Sequence, residues 1–156
     1  MAMEQGATGT GRVLGVDFGD RRVGLAVSDE SRTVAFPHDV MEVSPREKNI
    51  AGKVGAVALR LGATVVVVGV PYTMGGRLGE QAEVVMKFIA QLKDKLRGKV
   101  EVVEWDERLT SVQAERAMQE AGLSSRQQRG KLDKVAAALL LQAWLDHGRM
   151  RGGGAA

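Results

Sequence analysis

Cysteine is absent from the 156 residues. Disulfides, thiol nucleophiles and thiolate zinc sites are thereby excluded, and the composition fits a cytosolic setting. Histidine occurs only at His38 and His147, so any metal must be held by carboxylates. Aromatic residues are scarce, with three Phe, two Trp and one Tyr, too few for a protein that stacks successive bases on several rings. No apolar run approaches the roughly 20 residues that a membrane span needs. Met1–Gly11 lacks the apolar stretch of a signal peptide. Neither charge sign dominates: 22 Lys+Arg against 19 Asp+Glu leave +3, too small a balance to establish nucleic-acid binding by itself. What remains is an ordinary globular composition, 44% apolar and 26% charged, at a length that suits one domain with a real core.

Gly, Thr and Ala dominate residues 1–11, and Gly and Ala dominate 150–156, so both ends read as flexible tails around a single domain over 12–149. Within it, Arg12–Phe18 and Arg22–Ser28 alternate as two strands across the turn Gly19-Asp20-Arg21. Thr33–Phe36 reads as a short third strand stopped by Pro37. Ser44-Pro45-Arg46-Glu47 has the form of a capping box with proline at the first helical position, which opens a helix running to about Leu61 and ending at Gly62. Thr64–Val70 is a nearly unbroken β-branched run, the mark of a parallel strand buried on both faces. Glu80–Leu96 is amphipathic, with Ala82, Val85, Met86, Ile89, Leu92 and Leu96 on one stripe and Gly98 beyond its end. Val100–Trp105 gives a fifth strand, Val112–Ala121 a short helix, and the stretch from Ser124-Ser125 to His147 a last one. The order β-β-β-α-β-α-β-α-α describes an α/β protein with a five-stranded mixed sheet flanked by helices, the layout of a ribonuclease H-like fold.

Three carboxylates stand out against this plan. Asp17 lies near the end of the first strand, within an apolar run where a charge is costly without a cation or a hydrogen-bond partner. The same residue also suits a turn-initiating role that satisfies backbone N–H groups. Glu107 follows the fifth strand in Trp105-Asp106-Glu107-Arg108, at the end of the sheet where open α/β proteins place their sites. Asp106 qualifies as well, but neighbours on an extended chain point to opposite sides, so only one of the two faces Asp17. Asp133 shares a helical stripe with Ala136, Ala137 and Leu140 rather than the basic face. An oxygen-only set of this kind suits Mg²⁺ or Mn²⁺, and two such ions about 4 Å apart activate water and stabilise the leaving oxygen of a phosphodiester. Without cations the acids repel one another, so at least one carries a raised pKa.

Basic residues cluster around these positions. Arg21 and Arg22 follow the Asp17 turn, Lys131 and Lys134 bracket Asp133, Arg108 adjoins Glu107, and Arg77 sits on the glycine-rich loop from Gly69 to Gly79. Beside an acidic metal site such residues fit phosphate-backbone contacts, although a solvated surface is the commoner fate of such charges.

Val16-Asp17-Phe18-Gly19-Asp20-Arg21-Arg22-Val23-Gly24, Gly69-Val70-Pro71, Asp106-Glu107-Arg108-Leu109-Thr110-Ser111 and Lys131-Leu132-Asp133-Lys134-Val135-Ala136-Ala137 resemble, in order and spacing, the motifs of the YqgF/RuvX family. The resemblance spans about Arg12 to His147. It implies a ribonuclease H-like fold, a cytoplasmic location, and metal-dependent cleavage of nucleic acid, with Asp17, Glu107 and Asp133 on the family's acidic metal-site positions. One departure is that Tyr72-Thr73-Met74-Gly75-Gly76 stands where the family often reads Leu-Asn-Met-Asp-Gly.

The leading expectation is a Mg²⁺- or Mn²⁺-dependent nuclease that processes the 5′ end of pre-16S rRNA, with structured RNA and ribosomal precursor particles as partners and no membrane association. Arg21, Arg22, Arg77, Arg108, Lys131 and Lys134 would contact its nucleic acid. A second reading keeps the site but takes branched DNA, as a Holliday junction resolvase. Symmetric cutting then calls for a two-fold homodimer rather than a monomer. A third is an assembly factor that binds RNA without cutting it.

Overall fold

The computed structural model describes residues 9–19, 21–44, 46–110 and 134–148. Five strands form one sheet in the order β3-β2-β1-β4-β5. β1 (Val13–Phe18) and β2 (Arg22–Ser28) are an antiparallel hairpin whose turn is closed by Gly19 N donating to Arg22 O at 2.9 Å. β4 (Val65–Val70) lies parallel to β1, and β5 (Glu101–Asp106) parallel to β4. The mixed five-stranded α/β arrangement is the one the sequence pattern implies. All six residues of β4 are buried, as expected for a strand sandwiched between helical layers.

Strand alternation sorts the core into two layers. Leu14, Val16, Val66, Val68 and Val70 face α1 (Ile50–Arg60) and α2 (Glu80–Lys95), which bury Val54, Ala58, Val85, Ile89 and Leu92 against them. Val13, Val65, Val67 and Trp105 face the other way, toward Ala137, Leu141, Trp144 and Leu145 of α3 (helical residues 134–148). Asp17 continues the Val13–Gly15 side of β1, so it belongs to the α3 face.

Two local readings are corrected. β3 (Ala35–Glu42) does not stop at Pro37 but runs through it. β3 is the sheet's edge strand, where a missing N–H costs no ladder bond, and Pro37 sits at a register shift between Leu25 and Ala26 that absorbs the extra residue. Nor does the Ser44–Glu47 signal open α1, which starts at Ile50. Ser44 Oγ instead accepts from Arg46 N at 3.2 Å, while Glu47 accepts from Asn49 N and bridges to Lys53 Nζ at 2.6 Å. The capping groups thus close a turn ahead of the helix. Pro45, the 112–121 helix and the start of the last helix lie outside the described residues.

Gly15 lets α3 approach β1 closely. A methyl group there would lie 2.8 Å from Leu141 Cβ and 3.3 Å from the Ala137 carbonyl oxygen, so the helix would have to retreat. Gly15→Ala is expected to lower stability by about 1–3 kcal/mol, the usual cost of overpacking. Urea unfolding checks this, and a midpoint equal to wild type would show that α3 yields without strain.

Candidate active site

The site assembles at the C-terminal ends of β1, β4 and β5. Asp17 is the penultimate residue of β1 and is half-buried. Glu107 opens the single 3₁₀ turn Glu107–Leu109 directly after β5. Its carbonyl accepts from Thr110 N at 3.0 Å and Thr110 Oγ1 at 3.1 Å, which fixes the turn. β4 runs between the two acid-bearing strands, and Gly69 makes the crossing open. A methyl at Gly69 would lie 2.8 Å from Glu107 Cγ and 2.9 Å from its Oε1. The Glu107 side chain therefore lies over bare backbone and reaches Asp17, to which it is hydrogen-bonded.

The pair behaves as one proton-sharing unit. Burial, then the hydrogen bond to Asp17, then the negative charges of Asp17 and Asp106, push the Glu107 carboxyl up to about 8. Burial also raises Asp17, opposed by the hydrogen bond from Glu107. The Glu107 carboxyl accordingly keeps its proton up to about pH 8 and directs it at Asp17. Two half-buried carboxylates held together over bare backbone are an oxygen donor set that fits a hard divalent cation.

A consequence for stability follows. Below about pH 4.5 Glu107 is protonated in both folded and unfolded chains; between there and about pH 8 only the folded chain retains the proton. The folded state is thus favoured by this group at low pH, and the contribution is lost as pH rises through about 8. In EDTA the wild-type melting temperature should fall by several degrees across that window. Glu107→Gln, which cannot ionise, should flatten the profile, and an unchanged slope in that variant would place the titration elsewhere.

Asp106 and Glu107, equivalent in the sequence, are separated by the structure. Asp106 turns to Arg108, accepting from its backbone N and from Nε at 3.0 Å each and from Nη2 at 2.5 Å, which holds its carboxyl below the usual range. Arg21 and Arg22 line a cavity of about 470 Å³ with Glu42, Val43 and Ser44. Arg77 is exposed on the loop after β4, and Lys134 lies at the start of the described part of α3. Asp133 and Lys131 lie outside the described residues. Among the described residues no third His, Asp or Glu completes a metal-sized cluster. Nor is any helix there long and apolar enough to cross a membrane. Gly69 is the functional position that sequence reasoning took only as the start of a loop. An isolated glycine closing a run of valines was the available signal, since glycine inside a strand often marks a close approach.

Solved structures share this architecture. T. thermophilus RuvC in complex with Holliday junction substrate superimposes with a TM-score of 0.58 at 21% identity, covering 91% of this chain and 96% of that one. A second structure of Thermus thermophilus RuvC gives 0.51 at 19% identity, covering 92% and 97%. The fold is thus that of the RuvC-like, ribonuclease H-like α/β domains. More specifically, the family model RuvX, described as Holliday junction resolvase, matches residues 11–147, and the chain belongs to that family. A protein of Caldanaerobacter subterraneus subsp. tengcongensis is 42% identical over 139 residues, covering 86% of this chain and 96% of its own length. One of Desulforudis audaxviator is 37% identical over 135 residues, covering 86% and 94%. Both carry the name "Putative pre-16S rRNA nuclease".

Proposed function

We propose that this protein is a divalent-metal-dependent nuclease that hydrolyses phosphodiester bonds and processes the 5′ end of pre-16S rRNA in the cytoplasm, on ribosomal precursor particles. The observation that carries the chemistry is the Asp17–Glu107 carboxyl pair over Gly69 at the C-terminal edge of the sheet. The names of the relatives support the substrate. Asp17 and Glu107, together with Asp133, would hold Mg²⁺ or Mn²⁺. When bound, such an ion supplies Lewis acidity toward phosphoryl oxygens and lowers the pKa of water. To hold a cation Glu107 would have to give up its proton, so loading the site would release protons below about pH 8. Arg21 and Arg22, which line a cavity, and Arg77, Lys131 and Lys134 would contact the phosphate backbone.

The family description favours a second substrate, four-way DNA, which requires a two-fold homodimer to cut symmetrically. One experiment separates the two. Labelled pre-16S 5′-leader RNA, an unrelated RNA and a four-way DNA junction are incubated with the protein in Mg²⁺, Mn²⁺ or EDTA. Metal-dependent cutting confined to the leader is expected. Symmetric junction cutting would move the assignment to resolvase, and retention of RNA without cutting in any metal would sink the nuclease reading.

A further inference from the structure

The glycine-rich loop after β4 is fastened to the turn that carries Glu107, and the fastening passes through one guanidinium. The loop is closed on itself by Thr73 N donating to Arg77 O at 2.9 Å, Gly76 N to Thr73 O at 2.8 Å, and Arg77 N to Thr73 Oγ1 at 3.1 Å. Gly76 adopts φ +78, the left-handed conformation that suits glycine. Arg108 reaches across to it. Its Nη1 donates to Thr73 O at 3.4 Å, its Cζ stands 5.7 Å over the Tyr72 ring, and a methyl at Gly76 would lie 3.5 Å from Nη1. The other edge of the same guanidinium is taken by both Asp106 oxygens. Tyr72 is anchored in turn by donating from its hydroxyl to Glu104 Oε1 on β5 at 3.3 Å.

We propose that Asp106, Arg108 and Tyr72 form a clamp that holds the 72–77 loop against the Glu107 turn, which makes Asp106 and Arg108 positioning residues rather than a metal ligand and a phosphate contact. The sequence offers both of those other roles, since an acid next to Glu107 and a base next to an acid look the same whether they face the substrate or each other. The geometry directs them at each other. Both carboxylate oxygens of Asp106 are used by Arg108, and one of them also caps the Arg108 backbone N–H, so a shift of the acid would move the turn on which Glu107 rides. The guanidinium in turn ties that turn to the loop carrying the exposed Arg77 and the fully exposed Met74. Groups that orient a metal-binding side chain typically matter by about 10–100-fold in activity or metal affinity without touching substrate. The planar fork of arginine is what lysine lacks, so charge and clamping are separable at this position.

This inference rests on the nuclease reading for its catalytic consequence, and the test keeps the two apart. Arg108→Lys, Arg108→Gln, Asp106→Asn and the Asp106→Asn/Arg108→Lys double variant are compared with wild type. The readouts are kcat and KM on the leader RNA with Mn²⁺, the salt dependence of RNA binding in EDTA, and amide hydrogen exchange. Each single variant should lose about 10–100-fold in kcat at unchanged KM, with the double variant losing no more than the worse single. Exchange should quicken at 72–78 and 107–110 but not at 65–70. The salt slope of Arg108→Gln should match wild type. A slope reduced by about one, with normal kcat in Arg108→Lys, would make Arg108 a phosphate contact and overturn the clamp. So would unchanged exchange, whatever the activity. If wild type cleaves nothing, the nuclease reading fails, and exchange alone decides whether the clamp stands.

Discussion

Asp17→Asn should abolish metal-dependent cleavage while leaving the protein at least as stable as wild type. The two halves of that result come from the same environment. Asp17 is half-buried at the end of an apolar strand, and burial is the largest influence raising its pKa, so its charge is held at a cost to the folded state. Asparagine has the same shape, keeps an oxygen that accepts from Glu107, and carries no charge to desolvate. Stability is therefore expected to hold or rise. Activity moves the other way, because a neutral amide oxygen holds a hard divalent cation more weakly than a carboxylate does and can no longer share a proton with Glu107. The loss should exceed the roughly 10–100-fold typical of residues that merely orient a ligand. Opposed movement of the two readouts is the signature of an acid kept for chemistry at the expense of stability. A variant that cuts like wild type would remove Asp17 from the site. One that melts several degrees lower would make it a structural turn residue satisfying backbone groups.

The sheet was legible because its signals are strong and local. An unbroken valine run in β4 admits only a strand covered on both faces, and Gly62 and Gly98 end the helices before them with positive φ, as glycine at a helix terminus does. Pro37 and the Ser44–Glu47 box misled for one shared reason: each has a local meaning that position in the fold overrides. Proline stops an inner strand but not an edge strand with a bulge. A capping box caps only when the chain behind it is free to turn into a helix, and here its groups are used by Arg46, Asn49 and Lys53. At the site, Asp17 is legible because a carboxylate within a buried strand is costly, and Glu107 because it follows a strand's C-terminal end, where open α/β sheets place their sites. Residue spacing alone leaves open which of Asp106 and Glu107 faces inward, since that depends on a 3₁₀ turn and on the arginine two residues after Asp106; only the family resemblance singles out Glu107. The part of Gly69 was hidden for a different reason. Its importance lies in an atom it does not have, set against a side chain 38 positions later, and only the β4–β5 pairing, with Gly69 opposite Trp105, brings the two together.

Gly69→Ala should then disable the site while sparing the fold, the converse of Gly15→Ala. All three nearest heavy atoms to the added methyl belong to the Glu107 side chain, at 2.8, 2.9 and 3.3 Å, and Gly69 is not among the positive-φ glycines. The backbone accepts alanine, and the obstacle is a flexible side chain that can swing aside. Reduced freedom of the unfolded chain even favours the variant by about 0.4–1 kcal/mol. Swinging aside is what the chemistry cannot tolerate. Displacing a reacting or ligating group by about 1 Å can cost on the order of a hundredfold, and a drop of that size in leader cleavage is expected at near-normal melting temperature. A second readout ties the loss to this cause. Once Glu107 leaves Asp17, the hydrogen bond and the charge that help raise its pKa are gone, so the decline in stability toward about pH 8 should weaken as it does in Glu107→Gln. Shortening the displaced side chain offers the rescue: Glu107→Asp in the Gly69→Ala background removes one methylene where the new methyl intrudes. It should recover part of the activity that Glu107→Asp alone, over an open glycine, would forfeit. Full activity in Gly69→Ala with an unchanged pH profile would mean that Glu107 does not need the space over β4, and the carboxyl pair would lose its place as the centre of the site.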